Sequence, residues 1–502
     1  MEHIQVDPAE AEDNKAIQEL PPEIQDDIAL FRQYKGPDDG VDALFRDADP
    51  ARCELWLAAS RGGWPEARWL ASRCHRLGHA IPEDLREANR LCDLAAQQGE
   101  PLALYDLAAR YEAGIDAEPD LAKAAALYRR AAAAGVVRAQ CQMAECYLRS
   151  GAGEWELGEA AKWLRKAAHQ GSVAAEDRLT ELYIAEGTRA MPSTEGAVWL
   201  LRSAERGDPS AQLRLARCYA DGEGVAEDRS RALHWYQCAL DAYTQGPREL
   251  RNIAHCYQGM AELGEAEAQF RLAACLSNGD GVQQDLRLAA TWLERAAEQE
   301  HAQALLRLPV AYRELGDSLA DASGGMHQQE AILWYQEAGS LGDGAACLRL
   351  AECYAAGRCV EQRDMPEAVA WFRKAAELAE PMGQFRLGVC YASGDGVERD
   401  EREAANWFQR AADAGHAPAQ FRFALQLLTG RGVPKDPARG VQYLARAAKQ
   451  DYVRAQTKLG ECYCTGQGIA KNWDAAVAWL GRAAKAGDEN AERLLRKYGV
   501  RH

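Results

Sequence analysis

The sequence lacks any long apolar run, and its N-terminus lacks the basic and then apolar stretch of a secretory signal. No window offers the 18 or more apolar residues of a membrane-spanning helix, so a membrane protein is not expected. Positive charge is also scarce, because 59 Lys and Arg stand against 76 Asp and Glu, for a net charge of −17. Such an acidic chain repels nucleic-acid phosphates, which disfavours nucleic-acid binding. The sequence predicts a cytoplasmic protein.

β-Branched residues are sparse and alanine is dense, a composition typical of helix. The stretches 211–225, 383–397 and 419–433 are near-copies, reading AQLRLARCYADGEGV, GQFRLGVCYASGDGV and AQFRFALQLLTGRGV. If the first residue of each copy is position 0, most copies are 36 residues apart. Position 0 falls at Ala67, Ala103, Ala139, Ala175, Ala211, Ala268, Ala304, Ala346, Gly383, Ala419, Ala455 and Ala491. The chain is therefore an array of repeats.

Each copy predicts two helices. Position 4 is usually leucine and position 8 tyrosine, and positions 0, 4 and 8 share one helix face. Positions 11 and 13 are often both glycine, a residue that ends helices by adopting positive φ. The second helix begins after an aspartate such as Asp285 or Asp400, a plausible N-cap, and carries an aromatic residue at position 24. Each unit is thus a helical hairpin that buries its apolar face by stacking on the next.

The combined pattern, A…L(G/A)..Y..G.GV…D…A..W…AA..G, resembles the Sel-one-like repeat (SLR), a relative of the tetratricopeptide repeat. The resemblance runs from about residue 63 to 498. It implies an all-α fold, a right-handed superhelical α/α solenoid of about eleven hairpins with a closing C-terminal helix. It also implies protein binding, since family members serve as adaptors, signalling scaffolds and immunity proteins against secreted toxins.

Two places interrupt the repeat. The step from Ala211 to Ala268 contains an insert, 244–264, long enough for one unpaired helix. The unit at Ala304 is stretched, with Pro309 in its first helix and a predicted loop reading DSLADASGG. Each interruption is either a kink or drift in a decaying repeat. The predicted organisation is an acidic arm at 1–50, hairpins at 51–243, an inserted helix at 244–264, hairpins at 265–487 and a capping helix at 488–502.

Position 3 carries a cation in eight consecutive units, although it lies in the apolar half of the first helix. We call these residues the arginine row: Arg178, Arg214, Arg271, Arg307, Arg349, Arg386, Arg422 and Lys458. We call the neighbouring residues at position 2 the apolar row: Leu213, Phe270, Leu306, Leu348, Phe385 and Phe421. The first helices of tetratricopeptide-type hairpins line the concave surface, so the resemblance implies that both rows face one groove. The predicted ligand is an extended or helical protein segment with acidic and apolar residues.

The same cations have a structural interpretation, in which carboxylates neutralise them. Arg178, Arg349 and Lys458 each precede a glutamate by three residues, the spacing of an ion pair within a helix. The other five do not, and pairing with a neighbouring hairpin stays open. The functional interpretation requires that the row points, unpaired, into a shared hollow. Because one exposed ion pair contributes only about 0.2–1 kcal/mol, the apolar row would have to supply the rest of the affinity.

The N-terminal arm is one candidate ligand within the chain. Residues 1–50 contain 14 Asp and Glu but only 4 Lys and Arg, mixed with apolar residues. The arm either docks in the groove of its own chain as a competitor, caps the first hairpin as a short helix, or stays solvated. Capping or solvation is the favoured interpretation.

No residue pattern indicates catalysis, a cofactor or a metal. The Gly-x-Gly pairs follow helices and lack the Lys-Ser/Thr of a phosphate loop. Cys74, His75 and His79 lie together without a fourth ligand nearby in sequence. Some cysteine-rich relatives are linked to penicillin binding, but no serine here belongs to Ser-x-x-Lys, so a hydrolase of that type is the weakest alternative. The prediction is a scaffold or adaptor, not an enzyme, for a protein partner such as a signalling protein. The main alternative is an immunity protein that sequesters a secreted toxin.

Seven of the fifteen cysteines share position 7, on the apolar face of the first helix. They are Cys74, Cys146, Cys218, Cys275, Cys353, Cys390 and Cys462. Equivalent positions of stacked helices lie about 8–10 Å apart, too far for a disulfide. We therefore expect reduced thiols that pack in the core.

Overall fold

The computed structural model describes residues 22–33, 45, 48–115, 118–150, 153–187, 191–247, 249–321, 325–360 and 362–497. These residues form 26 helices and no strand, which confirms the all-α prediction. The chain divides into two compact units, residues 1–259 and 260–502. None of the described helices combines the length and the apolar character that a bilayer span requires.

The first unit holds twelve helices. They are α1 (Pro22–Gln33), α2 (Pro50–Arg61), α3 (Pro65–Leu77), α4 (Leu85–Gln97), α5 (Pro101–Ala113), α6 (Leu121–Ala133), α7 (Val137–Ser150), α8 (Glu154–His169), α9 (Val173–Glu186), α10 (Ser193–Glu205), α11 (Pro209–Asp221) and α12 (Arg229–Gln245). The boundary between the units falls in α13 (Leu250–Glu262), the one helix that lies within the predicted insert.

The second unit continues the array. Its helices are α14 (Ala266–Asn278), α15 (Leu286–Glu298), α16 (Ala302–Asp321), α17 (Gly325–Ser340), α18 (Gly344–Ala356), α19 (Met365–Glu377), α20 (Pro381–Ser393), α21 (Glu401–Asp413), α22 (Ala417–Thr429), α23 (Pro437–Lys449), α24 (Val453–Thr465), α25 (Trp473–Lys485) and α26 (Glu489–Lys497). Five hairpins, α3–α4 to α11–α12, stack in the first unit, and six, α14–α15 to α24–α25, stack in the second. With α26 packed on α25, these helices confirm the predicted eleven hairpins and closing helix.

The helix ends follow the predicted chemistry. A side-chain oxygen accepts a backbone N–H from the first turn of the second helix at each predicted cap, namely Asp120, Asp228, Asp285, Asp400 and Asp436. The first glycine of each pair ends the first helix in the left-handed conformation, as at Gly394 (φ +78°). The second glycine is required because of a close approach between hairpins. A Cβ at Gly396 would overlap the Met365 carbonyl oxygen of the preceding hairpin.

A glutamine at position 1 joins consecutive hairpins, a feature that the sequence analysis missed. Its buried side-chain amide donates to a backbone carbonyl eight residues earlier, near the end of the preceding helix, at 3.1–3.3 Å. The six residues are Gln140, Gln212, Gln269, Gln384, Gln420 and Gln456. Each of these carbonyls also accepts the backbone N–H three residues later, so the glutamine adds a second bond that ties the start of one helix to the end of the preceding one.

Helix α16 departs from the predicted loop. It runs unbroken for 20 residues, from Ala302 to Asp321, with Pro309 inside it. The first five residues of the predicted DSLADASGG loop therefore belong to the helix, and Ala322, Ser323 and Gly324 lie outside the described residues. Pro309 removes one backbone donor and its ring crowds the carbonyl four residues earlier, yet the helix continues through it to Asp321.

The described part of the N-terminal arm caps the first hairpin. On α1, Ile24, Ile28 and Phe31 are buried, and the Phe31 ring stacks on Phe45 at 4.5 Å between centroids. The Asp27 carboxylate is also buried, where it accepts the indole N–H of Trp56 at 2.9 Å. The favoured interpretation, a short helix that caps the first hairpin, is therefore confirmed for residues 22–33 and 45, and the alternative of docking in the groove does not apply to them. Residues 1–21, 34–44, 46 and 47 lie outside the described residues.

All fifteen cysteines carry free thiols. Of the seven at position 7, five are buried, and Cys146 and Cys275 are partly exposed. The core assignment of this position is thus confirmed for most of the set.

Candidate protein-binding surface

The arginine row lies on the first helices of successive hairpins: α9, α11, α14, α16, α18, α20, α22 and α24. Two ion pairs show how the row is arranged within each compact unit. In the first unit, Arg178 Nε lies 2.7 Å from Glu145 Oε1. In the second, Arg386 Nη2 lies 3.5 Å from Glu352 Oε1. Each pair joins position 3 of one first helix to position 6 of the preceding one, so these positions share a surface.

The expectation that the row is unpaired is wrong for seven of its eight members. The three predicted pairs within a helix are confirmed: Arg178 to Glu181 at 2.8 Å, Arg349 to Glu352 at 3.8 Å and Lys458 to Glu461 at 2.7 Å. Arg178 lies between two carboxylates, those of Glu145 and Glu181, and both raise the pKa of its guanidinium. A partner that binds this residue must displace or share these carboxylates.

The remaining paired cations find carboxylates at other spacings. Arg214 donates to Glu223 at 2.8 Å, and its guanidinium lies over the Tyr183 ring at 5.5 Å. Arg271 contacts Glu267, four residues earlier, at 2.7 Å. The sequence analysis looked for a carboxylate three residues after each cation. It therefore missed these two pairs, whose carboxylates lie at other spacings.

Arg307 occupies a different place from the one predicted. It pairs with Glu314 at 2.7 Å, on the same helix. Further along α16, Asp317 pairs with Arg349 at 3.3 Å, as Glu145 pairs with Arg178 one hairpin apart. Asp317 therefore holds position 6 of this unit, which makes Ala311 position 0 and Glu314 position 3. Arg307 lies about two turns before position 3, so it is not a member of the row in this frame.

Arg422 is exposed and has no partner among the residues that the structure describes. The physical reason is the residue opposite, because Val389 holds the position on α20 that Glu352 holds on α18. One member of the row, which follows the half-buried Phe421 in sequence, is thus a cation that no described carboxylate neutralises.

The apolar row lies partly in the joints between hairpins. The Phe270 ring packs on His301 at 5.2 Å, Phe385 on His416 at 4.9 Å and Phe421 on Tyr452 at 5.6 Å, measured between centroids. Each phenylalanine is half-buried, as are Leu213 and Leu348. Leu306 differs, since 79% of it is exposed.

Phe421 borders a cleft of about 820 Å³ at the C-terminal end of the second unit. We call it the C-terminal cleft. Its lining includes four cations, three carboxylates and the apolar Leu494. The charged residues are Arg454, Lys458, Arg493, Lys497, Glu461, Asp488 and Glu489.

Two of the three carboxylates in this cleft are already engaged. Asp488 caps α26 by accepting the Asn490 N–H at 2.8 Å, and it also accepts the Thr457 hydroxyl at 2.9 Å. Glu461 holds Lys458. In contrast, Arg454 is exposed and forms no ion pair or hydrogen bond with any described residue. The cleft therefore favours an anionic ligand.

The sequence analysis missed Arg454, Arg493 and Lys497, although a signal was present. With Ala491 as position 0, the closing helix has Arg493 at position 2 and Lys497 at position 6. In earlier units these positions hold an apolar residue and often a carboxylate. Examining positions 2 and 6 of the closing helix would have identified Arg493 and Lys497, whereas Arg454, which directly precedes Ala455, lies at neither position.

In the described part of the chain, no group of three or more His, Cys, Asp or Glu side chains is placed to bind a metal ion. Near the Cys74 motif, the ring Nε2 of His79 contacts the carbonyl oxygen of Ala48 at 2.9 Å. That histidine thus takes part in a structural contact.

A family model described as Sel1 repeat matches ten stretches of the chain. They are residues 65–100, 101–136, 137–172, 209–243, 266–301, 310–343, 344–379, 381–416, 417–452 and 453–488. The sixth match begins at residue 310, after Arg307, in agreement with the later frame on α16. A search of the curated proteins finds no match.

Solved structures of repeat proteins resemble the chain. A protective antigen of uropathogenic Escherichia coli, described as displaying an SLR fold, is 26% identical, with 89% of this chain and 90% of that one covered and a TM-score of 0.37. A Sel1 repeat protein of Oxalobacter formigenes is 28% identical over 71% of this chain and 93% of its own, with a TM-score of 0.38. An immunity protein of Pseudomonas aeruginosa is 19% identical over 47% and 81%, with a TM-score of 0.21.

Proposed function

The chain belongs to the Sel1 repeat family, and we propose that it is a non-catalytic scaffold or adaptor whose C-terminal cleft binds an acidic and apolar protein segment. Sel1 repeat proteins generally mediate protein–protein interaction. The observation that carries the proposal is that half-buried Phe421 and the exposed, unpartnered Arg454 line one cleft. Arg422, which follows Phe421 in sequence, is also exposed and has no partner among the described residues.

The pairing pattern favours this end of the row. From Arg178 to Arg386, a carboxylate ligand would have to compete with a carboxylate already in place. At Arg422 and Arg454 it would gain a contact without breaking one among the described residues. We therefore assign the C-terminal cleft as the binding site and give the paired members of the arginine row a secondary role.

Charge alone does not account for binding. One exposed arginine–carboxylate contact contributes about 0.2–1 kcal/mol, while micromolar affinity needs about 8 kcal/mol. The cleft offers an apolar wall from Phe421 and Leu494, and its volume is in the range of ligand pockets. An aromatic or aliphatic side chain of the partner would fill the cleft, while its carboxylates contact the rim.

Because the net charge of the chain is −17, we expect an acidic partner to be recognised through short-range contacts in the cleft. At physiological ionic strength, charges are screened beyond about 8 Å, so the rest of the acidic chain repels an acidic partner only weakly at contact distance. Long-range steering would be unfavourable. We expect slow association and a ligand chosen by its fit to the cleft.

A site-specific photo-crosslink tests the proposal. A photoreactive phenylalanine analogue replaces Phe421 in the full-length chain, and a matched variant carries it at Gln442, which is exposed on the second helix α23. We expect a partner protein from native lysate to crosslink from position 421 and not from position 442. Equal crosslinking from both positions would contradict the assignment. A secreted toxin as the captured protein would favour the immunity alternative over a general adaptor.

A further inference from the structure

Two thiols meet beside a second cleft of the second unit. Cys353 lies in the last turn of α18, and Cys359 lies in the loop that follows. The Cys359 thiol is close enough to help raise the pKa of Cys353. Cys353 is 8% exposed and Cys359 is partly exposed. Both line a cleft of about 640 Å³, together with Arg349 and Arg358.

Cys359 occupies a position that glycine holds in five other hairpins. It stands at position 13, the second member of the glycine pair, and its φ is +65°. At Gly224, Gly281, Gly396, Gly432 and Gly468 the same position has φ between +67° and +77°. A residue with a Cβ rarely adopts this conformation, and such strain is concentrated at functional sites. Position 7 of this hairpin is Cys353, one of the recurring cysteines. The replacement of glycine by Cys359 therefore places a second thiol near the first.

A second pair of neighbouring thiols, Cys53 and Cys74, differs from the first in its accessibility to solvent. Cys53 and Cys74 also influence each other's pKa, but both are 0% exposed. They belong to the apolar core around Trp56 and Trp69. A reagent in solution therefore reaches Cys359 and does not reach Cys53 or Cys74. The two pairs form a comparison within one molecule.

We propose that Cys353 and Cys359 form a thiol–disulfide modification site, at which a low-molecular-weight disulfide such as glutathione disulfide oxidises them to an intramolecular disulfide. In the first step, Cys359 loses its proton to water, and its thiolate attacks one sulfur of the oxidant. One glutathione thiolate leaves, and a mixed disulfide remains on Cys359. Cys353 then loses its proton, attacks the Cys359 sulfur and releases the second glutathione. Two protein thiols and one disulfide thus become one protein disulfide and two glutathione thiols.

The local structure supports this order of attack. Burial raises the pKa of the Cys353 thiol to about 12, so the more exposed Cys359 reacts first. The Arg358 N–H donates to the Cys353 carbonyl at 3.0 Å, which turns the chain back on itself and brings the two side chains together. Arg358 also lines the cleft, and its charge acts against burial by lowering the pKa of Cys353. In a reducing compartment, disulfides of this kind are transient and redox-sensing.

Peptide mapping of the full-length protein tests the proposal. The reduced, folded chain is incubated with glutathione disulfide, its remaining thiols are alkylated and it is digested with trypsin. Cleavage after Arg349, Arg358 and Arg363 separates LAECYAAGR from CVEQR unless a disulfide joins them. Because access governs reactivity, we expect this linked species to form at least about ten-fold faster than a Cys53–Cys74 link.

Two variants make the result specific. Cys359→Gly restores the residue of the other hairpins, and we expect it to fold and to give no link. Cys353→Ser should stop at the mixed disulfide on Cys359. The proposal is overturned if the wild-type chain keeps both thiols under conditions that oxidise the unfolded chain. It is equally overturned if wild-type Cys359 remains a mixed disulfide, or if the Cys53–Cys74 link forms as fast.

Discussion

Arg386 on α20 lies 3.5 Å from Glu352 on α18, so an ion pair joins the first helices of two consecutive hairpins. Glu352 also contacts Arg349 on its own helix, at 3.8 Å. One carboxylate therefore neutralises two members of the arginine row. Within the second unit, the helices from Asp317 to Arg386 thus carry a ladder of alternating charges where the sequence predicts free cations.

This pair should contribute little to stability. The Arg386 and Glu352 side chains are 48% and 26% exposed, so we expect a coupling energy of about 0.2–1 kcal/mol that falls in high salt. A double-mutant cycle with Arg386→Gln and Glu352→Gln, followed by denaturant unfolding, measures it. A coupling energy of about 3 kcal/mol or more, typical of losing one partner of a buried pair, would contradict the exposed geometry.

The N-terminal cap gives a prediction with a control on the adjacent residue. Phe31 is 3% exposed and Leu30 is 54% exposed, both on α1. We expect Phe31→Ala to lower the free energy of unfolding by about 3–5 kcal/mol and Leu30→Ala to change it by less than about 0.5 kcal/mol. Thermal or denaturant unfolding measures both. Similar effects from the two changes would show that α1 is not a cap.

His416 makes stability depend on pH. Its ring Nδ1 accepts the Ala419 N–H at 3.2 Å as the N-cap of α22, which requires a neutral ring. Burial lowers the pKa of His416, and the nearby Arg386 lowers this pKa further. The pKa is thus lower in the folded than in the unfolded chain. The stabilisation is complete above the unfolded pKa of about 6.5 and is lost as pH falls through the folded value.

The His416→Asn variant isolates this effect, because asparagine is a good N-cap and does not titrate. We expect the difference in unfolding free energy between wild type and variant to be constant above about pH 7 and to move against the wild type below about pH 6. A difference that does not change with pH would contradict the assignment of His416 as a neutral cap.

The hairpins were predictable from sequence because their signals are local. The aspartate caps, the helix-ending glycines and the apolar face each lie within one 36-residue unit, and the structure confirms them. The partners of the arginine row were not predictable, because they depend on how hairpins stack. Arg386 has Val389 three residues later, which suggests a free cation, while its actual partner is 34 residues earlier in the chain.

Two further misses have physical causes. The frame of α16 was misplaced because Ala304 and Ala311 are both buried, and only the packing of the next hairpin distinguishes their roles. The C-terminal cleft was missed because three helices contribute to it, α22, α24 and α26, and each supplies only part of the lining. No single unit contains the charge pattern of the cleft.

Quantitative capture of the partner tests the central claim most directly. The wild-type chain is compared with Arg422→Glu/Arg454→Glu and with a charge-matched control, Arg402→Glu/Lys449→Glu, whose exposed cations lie on the second helices α21 and α23. None of these four side chains has an ion-pair or hydrogen-bond partner among the described residues, so both variants change charge without breaking a recorded contact.

Reversing the charge of two contacts replaces attraction by repulsion. We predict that the first variant captures the protein that crosslinks from position 421 at least about ten-fold less than wild type, a loss of about 1.4 kcal/mol. The control should stay within about two-fold of wild type, since exposed charges on the second helices lie outside the cleft and contribute little. Equal capture by both variants and the wild type would contradict the assignment of the C-terminal cleft as the binding surface.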